Sequence, residues 1–231
     1  MAYNQLISLF CVAKQSAYPL LATFIDFGQK GLAYCTADIK PVIPVIHALG
    51  LFPDVGNITN AKRAVEVMLN LYNAVIKNRC DVLVVELQPA INRKMCMLES
   101  ALAGIFAGDE SNRTHGRLIY HHPAWSVKKE FSLPDGYAAK KAAGTNVACR
   151  LLANKTQIGM STPDVLDAMI NSKRLHDMSD TILMMVQFSR FLHNCLKYPM
   201  IQPISSKRIN SNRLRLPATK KKKYHFKRKK Q

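Results

Sequence analysis

The sequence predicts an α/β domain, a central sheet flanked by helices, followed by a basic C-terminal tail. Three observations predict it: short apolar runs at 20–27 and 81–87, apolar stripes of helical period between and after them, and a change to polar and basic texture after Pro199. With 231 residues, 48% of them hydrophobic, the chain can bury a full core and form one ordinary domain of the larger kind. That domain is placed at 1–200 and the tail at 201–231.

The elements follow in order. Leu20 to Phe27 is a compact apolar run broken by one acid, Asp26, and followed by Gly28, so it reads as a buried strand reaching a turn. Gly31 to Ala37 reads as its hairpin partner, and residues 41–59, with Pro41, Pro44, Pro53 and Gly56, as a third short strand and a loop. Between Ala61 and Lys77 the residues Val65, Met68, Leu69, Tyr72, Val75 and Ile76 are expected on one buried helical face, with Asn60 as the cap. Asp81 to Leu87 is rich in β-branched residues and reads as a central strand with Glu86 near its C-terminal end. Ile91, Met95, Leu98, Leu102 and Ile105 mark the stripe of the next helix, ahead of a polar loop from Gly108 to Gly116. Arg117 to His122 gives a short strand ended by Pro123. The Ala-rich segment 136–154 reads as a helix, and Thr162-Pro163 as cap and first turn of a short one. A last helix over 174–196 carries Leu175, Met178, Ile182, Met185 and Val186 inward.

The formal charge of +18 points to a polyanionic partner, nucleic acid or an anionic surface. Its distribution is uneven. From Thr181 to Gln231 there are fourteen Lys or Arg and no acid, which leaves residues 1–180 with nineteen basic and fifteen acidic residues, only +4. Twelve basic residues stand between Lys207 and Lys230, among them Lys207, Arg208, Arg213, Arg215, Lys220, Lys221, Lys222 and Lys223. Such a tail is expected to be disordered alone and to bind DNA phosphates without sequence preference; a nuclear import signal or a membrane tether would use the same composition. The six cysteines are spread singly, without the close pairs of zinc or redox motifs, and read as reduced thiols of an intracellular protein. Leu6 to Ala13 is too short to span a bilayer, so a soluble protein of cytoplasm or nucleus is expected, with no membrane partner.

The chemistry is carried by carboxylates. An acid inside an apolar strand is costly to desolvate without a cation, a metal or a hydrogen-bond donor. Asp26 and Glu86 each stand near the end of a central strand and converge if the strands are neighbours. Asp177 and Asp180, three apart on a helix, share a face and repel one another unless a cation intervenes. Taken singly, a strand Asp is as readily paired with Arg or backbone amides, and a helical DxxD is usually a solvated face. Together the four oxygen donors suit magnesium, and two such ions hydrolyse phosphodiesters.

The stretches FIDFGQKGLAYC (24–35), VVELQPAINRKMCMLESAL (84–102) and RLHDMSDTIL (174–183) resemble the Holliday junction resolvases of poxviruses and related large DNA viruses, which belong with RuvC in the RNase H-like superfamily. Asp26, Glu86, Asp177 and Asp180 match that family's first-strand Asp, second-motif Glu and C-terminal DxxD. Gln88, Asn92 and Glu99 resemble the stretch after its second motif. The resemblance implies an RNase H-like fold with a mixed sheet, and a structure-selective endodeoxyribonuclease that resolves four-way junctions and other branched DNA by paired nicks. It also implies two magnesium ions per site (manganese as a substitute), a homodimer, and a place in the cytoplasm or nucleus of an infected cell. Gly31 departs from the Asn of many members, and His176 stands where cellular relatives often carry an acid, from where it can approach the metal. Lys140 and Lys141 resemble basic residues set against the scissile backbone, although a solvated helix face accounts for them equally well. The rivals are an RNase H-like nuclease of broader specificity and a catalytically silent DNA-binding protein. An actin-like ATPase needs a longer chain.

Overall fold

Alternation along the strands decides the architecture. The computed structural model describes residues 2–28, 31–52, 58–77, 80–154, 156–161, 165, 167, 169, 171–172 and 174–197. Strand β1 (Leu21–Gly28) pairs antiparallel with β2 (Gly31–Asp38), and β2 with β3 (Val45–Phe52). On its other side β1 runs parallel to β4 (Val82–Glu86), which is parallel to β5 (Leu118–His122); the two-residue β6 (Gly159–Met160) is parallel to β3. The sheet is therefore mixed, in the order β5-β4-β1-β2-β3-β6. Parallel neighbours need crossovers. Helix α2 (Ala61–Leu71), continued by one π turn (Tyr72–Ile76), lies between β3 and β4, and α3 (Arg93–Gly108) with the short α4 (Glu110–Thr114) lies between β4 and β5.

Successive strand residues point to opposite faces. Ala22 and Phe24 of β1 join Val82 and Val84 of β4 in a core shared with α1 (Ala2–Gln15), α6 (Tyr137–Ala153) and α7 (Leu175–Lys197). Phe24 meets Phe188 of α7 edge to face, with ring centres 5.7 Å apart. Ile25, Phe27, Leu83 and Val85 point the other way, onto α2 and α3. By the same alternation Asp26 and Glu86 lie on the α7 face. Helix α5 (Ala124–Glu130) follows β5 directly.

The α/β sheet flanked by helices is as expected, with six differences in detail, the first being the two-residue edge strand β6, which no expected element covers. Val65 and Leu69 are each 45% exposed, and α2 buries Met68 as expected but with Ala64, Val67 and Leu71 beside it, because the apolar stripe is wider than the face that the sheet covers. Ile91 precedes α3 and is 93% exposed. The expected loop at 108–116 contains α4, nucleated where Asp109 accepts a hydrogen bond from the Ser111 amide at 2.8 Å. Helix α1 is an addition to the expected elements, although Leu6, Phe10 and Ala13, all buried, have helical spacing; Phe10 packs edge-on against His193. The short α5 carries too brief a pattern to read. Asn60 caps α2 as expected, accepting from the Arg63 amide at 2.9 Å. Thr162-Pro163 and the tail at 201–231, with its basic residues from Lys207 to Lys223, lie outside the described residues. Among the described residues no helix is long and apolar enough to cross a membrane.

Candidate active site

Asp26 and Glu86 stand one residue beyond the parallel pair Ile25 and Val85, side by side at the C-terminal ends of neighbouring strands. That edge is where open α/β sheets bind ligands. Their carboxyl groups are hydrogen-bonded to each other, and both line a pocket with His122, Lys140, Asp180 and Met184. Asp26 is 8% exposed. Burial pushes its pKa well above the usual carboxylate range, the charges of Glu86 and Asp180 push it further, and Lys141 opposes them. Three acids thus gather around the Lys141 ammonium group, with Lys140 at the pocket wall, and the remaining negative charge can be relieved by a proton on Asp26 or by a cation.

The two aspartates of α7 have different surroundings. Asp180 joins Asp26 and Glu86 in the pocket. Asp177, buried at the first turn of the helix, is instead held by Arg174, whose Nε lies 2.7 Å from its Oδ2. His176 Nε2 lies 3.3 Å from Asp177 Oδ1. Arg174 also donates to the Gly31 carbonyl at 3.3 Å and so fastens the start of α7 to the β1–β2 turn. Gly31 has φ of +146°, and a Cβ there would collide with the Arg174 guanidinium and come within 3.2 Å of the Phe52 carbonyl. Glycine at this position thus leaves the space that the Arg174 guanidinium occupies.

Lys141 of α6 pairs with Asp180 and approaches Asp177 at 3.5 Å. Burial alone would lower its pKa, but Asp180, then Asp26 and Asp177, hold it above the ordinary lysine value. Of the two lysines read together, Lys141 thus faces the carboxylates, and Lys140 lines their pocket. Among the described residues no three His, Cys, Asp or Glu side chains are grouped so that they could hold an ion as they stand. The donors nevertheless fit a hard divalent cation: all are carboxylate oxygens, their charge exceeds that of the lysine, and a cationic group already rests on Asp180.

Several supporting groups have no assigned role in the sequence pattern. Gln88 Nε2 donates to Glu86 Oε2 at 3.2 Å, and the Gln88 amide donates to the buried Glu99 at 3.3 Å. Glu99 in turn pairs with His121 at 2.7 Å. Gln88 and Glu99 are named in the sequence only by resemblance, and their contacts follow from the packing of α3 beside the end of β4. His122 is in register with Glu86 across β4 and β5, on the same face of the sheet. Only the strand pairing reveals it, since nothing in HHP distinguishes one histidine from the other.

No protein-family model and no curated protein matches the chain in sequence. Among solved structures, the chain is similar to the yeast mitochondrial Holliday junction resolvase at 16% identity, with 83% of this chain and 89% of that chain covered and a TM-score of 0.63. It is also similar to Thermus thermophilus RuvC (13% identity, 74% and 96% covered, TM-score 0.48) and to the fowlpox virus Holliday junction resolvase (14%, 77% and 99%, TM-score 0.45). The first likeness shows the fold: the chain has the RNase H-like architecture, a mixed six-stranded sheet with helices on both faces.

Proposed function

We propose that the chain is a metal-dependent endonuclease that hydrolyses phosphodiester bonds in branched DNA, four-way junctions above all. The observation that carries this reading is the meeting of Asp26, Glu86 and Asp180 at the C-terminal edge of β1 and β4, on a resolvase-like fold. Asp26, Glu86 and Asp180, with Asp177 beside them, would hold magnesium, two ions per site, or manganese in its place. Bound there, the ions would activate water and stabilise the leaving oxygen.

The chain's own residues supply the rest. Gln88 fixes the rotamer of Glu86, and the Glu99–His121 pair fixes the backbone that follows it. Lys141 balances the acids, and Lys140 at the pocket offers a positive charge to a scissile phosphate. The start of α7 is kept in place by Arg174, and His176 can orient water beside Asp177. A homodimer would present two such sites to symmetry-related strands, and the basic residues at 201–231, as a separate tail, would neutralise phosphates on the arms. Within this class the stretches 24–35, 84–102 and 174–183 favour the large-virus resolvases, acting in cytoplasm or nucleus on recombination and concatemer intermediates.

The test is incubation of the full chain with a synthetic four-way junction and with matched linear duplex, in magnesium or in chelator. Symmetrical, metal-dependent nicks in the junction alone support the reading. Cutting of every DNA would leave a general RNase H-like nuclease, and junction binding without any cut a silent binding protein.

A further inference from the structure

Beside the carboxylate pocket lies a second cavity, of about 510 Å³, lined by Tyr120, His122, Trp125, Lys129, Gln187 and Phe188 among others. The two share His122, which lines both. From this, and resting on the nuclease reading above, we propose that the cavity receives an unstacked nucleobase of the bound DNA, next to the strand whose phosphate reaches Asp26 and Glu86.

Three observations point to a base. Trp125, in the first turn of α5, is 66% exposed although it is among the largest apolar side chains of the protein. An indole left open to water at the rim of an aromatic-walled cavity offers a flat π-surface, and stacking on such a surface tolerates any base. The charge is complementary. Glu130 is neutralised by Arg190 at 2.9 Å, whereas Lys129 contributes a positive charge to the wall, suited to the phosphate that accompanies a base.

The third observation is a hydrogen-bonding capacity without a protein partner. His122 is 2% exposed; its Nε2 meets Gln187 Oε1 at 2.5 Å and Ser126 Oγ at 3.3 Å, while its buried Nδ1 has no hydrogen-bond partner. Nε2 is engaged by Gln187 and Ser126, so Nδ1 is the ring nitrogen left for a further partner, and a nitrogen of either tautomer has a complement on the edge of a base. A peptide side chain or a lipid would use the aromatic wall but has no need of both the ring nitrogen and the cation.

Trp125 is the chain's only tryptophan, so intrinsic emission reports on this position alone. The full chain, kept in chelator so that nothing is cut, is titrated with a labelled duplex carrying unpaired thymines and with the same duplex fully paired. Anisotropy of the label reads binding, and tryptophan emission reads stacking. Binding of the bulged DNA should quench the emission strongly, and W125A should bind that DNA roughly 5- to 100-fold more weakly, with paired duplex unaffected and W125F largely restoring affinity. Saturated binding with unchanged emission would overturn the proposal and leave the nuclease reading intact. So would an equal loss of W125A affinity for both DNAs, or a dimer that W125A dissociates in sedimentation, which would give this face to a second copy. Failure to bind any DNA would overturn both readings.

Discussion

The Lys141 ammonium is paired with the Asp180 carboxylate across α6 and α7, with its side chain only 19% exposed. It acts as an internal cation for acids that otherwise repel one another. Replacing it with methionine keeps the aliphatic volume and removes the charge. In chelator, K141M should unfold at lower temperature by roughly 3–6 °C, from about 1–2 kcal/mol for a partly screened pair. Magnesium should then stabilise the variant more than the wild-type chain, because no ammonium competes for the acids. Thermal melts with and without the ion check both signs; a variant indifferent to magnesium would show that the ion does not bind here.

Asp26 behaves oppositely. Its pKa is raised in the folded state by burial and by the neighbouring acids, so the native protein holds this proton more tightly than the unfolded chain does. The associated stability is present below the ordinary carboxylate range and declines as pH climbs through the raised value. Asp26→Asn should therefore stabilise the metal-free protein at neutral pH by about 1–3 kcal/mol and flatten the decline of Tm with pH above about 4. Its cleavage should fall by roughly 10³-fold or more while junction binding is largely kept. Denaturation across a pH series, beside a nicking assay, separates the two effects.

These opposed signs show what is legible in the sequence. Strand Asp, strand Glu and helical DxxD are readable because an acid in an apolar pattern is conspicuous, but that Asp26 and Glu86 share a face follows from the register of β1 on β4. The helix pattern places Asp177 and Asp180 together but cannot show that Arg174 holds one while the other turns to the pocket, since that depends on the approach of α7 to the β1–β2 turn. Lys141 stands out in the sequence only as a candidate for binding phosphate; its role as counter-ion needs the packing of α6 on α7. His122 is invisible as a site residue, because its position follows from the register of β5 on β4. For the strands, patterning suffices; side-chain partners set by tertiary packing are beyond it.

Gly31 and Arg174 make a second relationship open to test. Gly31→Ala would place a Cβ against the guanidinium at a backbone angle that L side chains rarely adopt. A destabilisation of about 1–3 kcal/mol is expected. Adding Arg174→Ala should recover part of it by clearing the space, though not the backbone strain. Chemical denaturation of the two single variants and the double variant gives the coupling; strict additivity would mean that the two residues do not meet.

Gln88 touches Glu86 without lying in the pocket lining, and it is placed to orient the acid. Gln88→Leu keeps the bulk and removes the amide, so magnesium affinity or turnover should drop by about 10- to 100-fold with little change in junction binding. Gln88→Glu, which can neither donate to Glu86 nor avoid repelling it, should be worse than leucine. Metal titration read by stability, together with single-turnover cleavage, tells positioning from a merely structural role: a variant equally destabilised with and without metal would be structural.

The tail offers the last prediction. Residues 207–231 carry twelve of the chain's thirty-three basic residues and no acid. If they neutralise phosphates, deletion should weaken junction binding and make log K fall less steeply with log salt, the slope shrinking by about 0.9 for each duplex phosphate that is no longer neutralised. The fold should be unaffected, because both core clusters are already closed among the described residues, which run to Lys197. Cleavage of prebound junctions should keep its rate, since the acids remain. An unchanged salt slope would assign the tail a role other than DNA binding, and a collapsed fold would refute the domain boundary near residue 200.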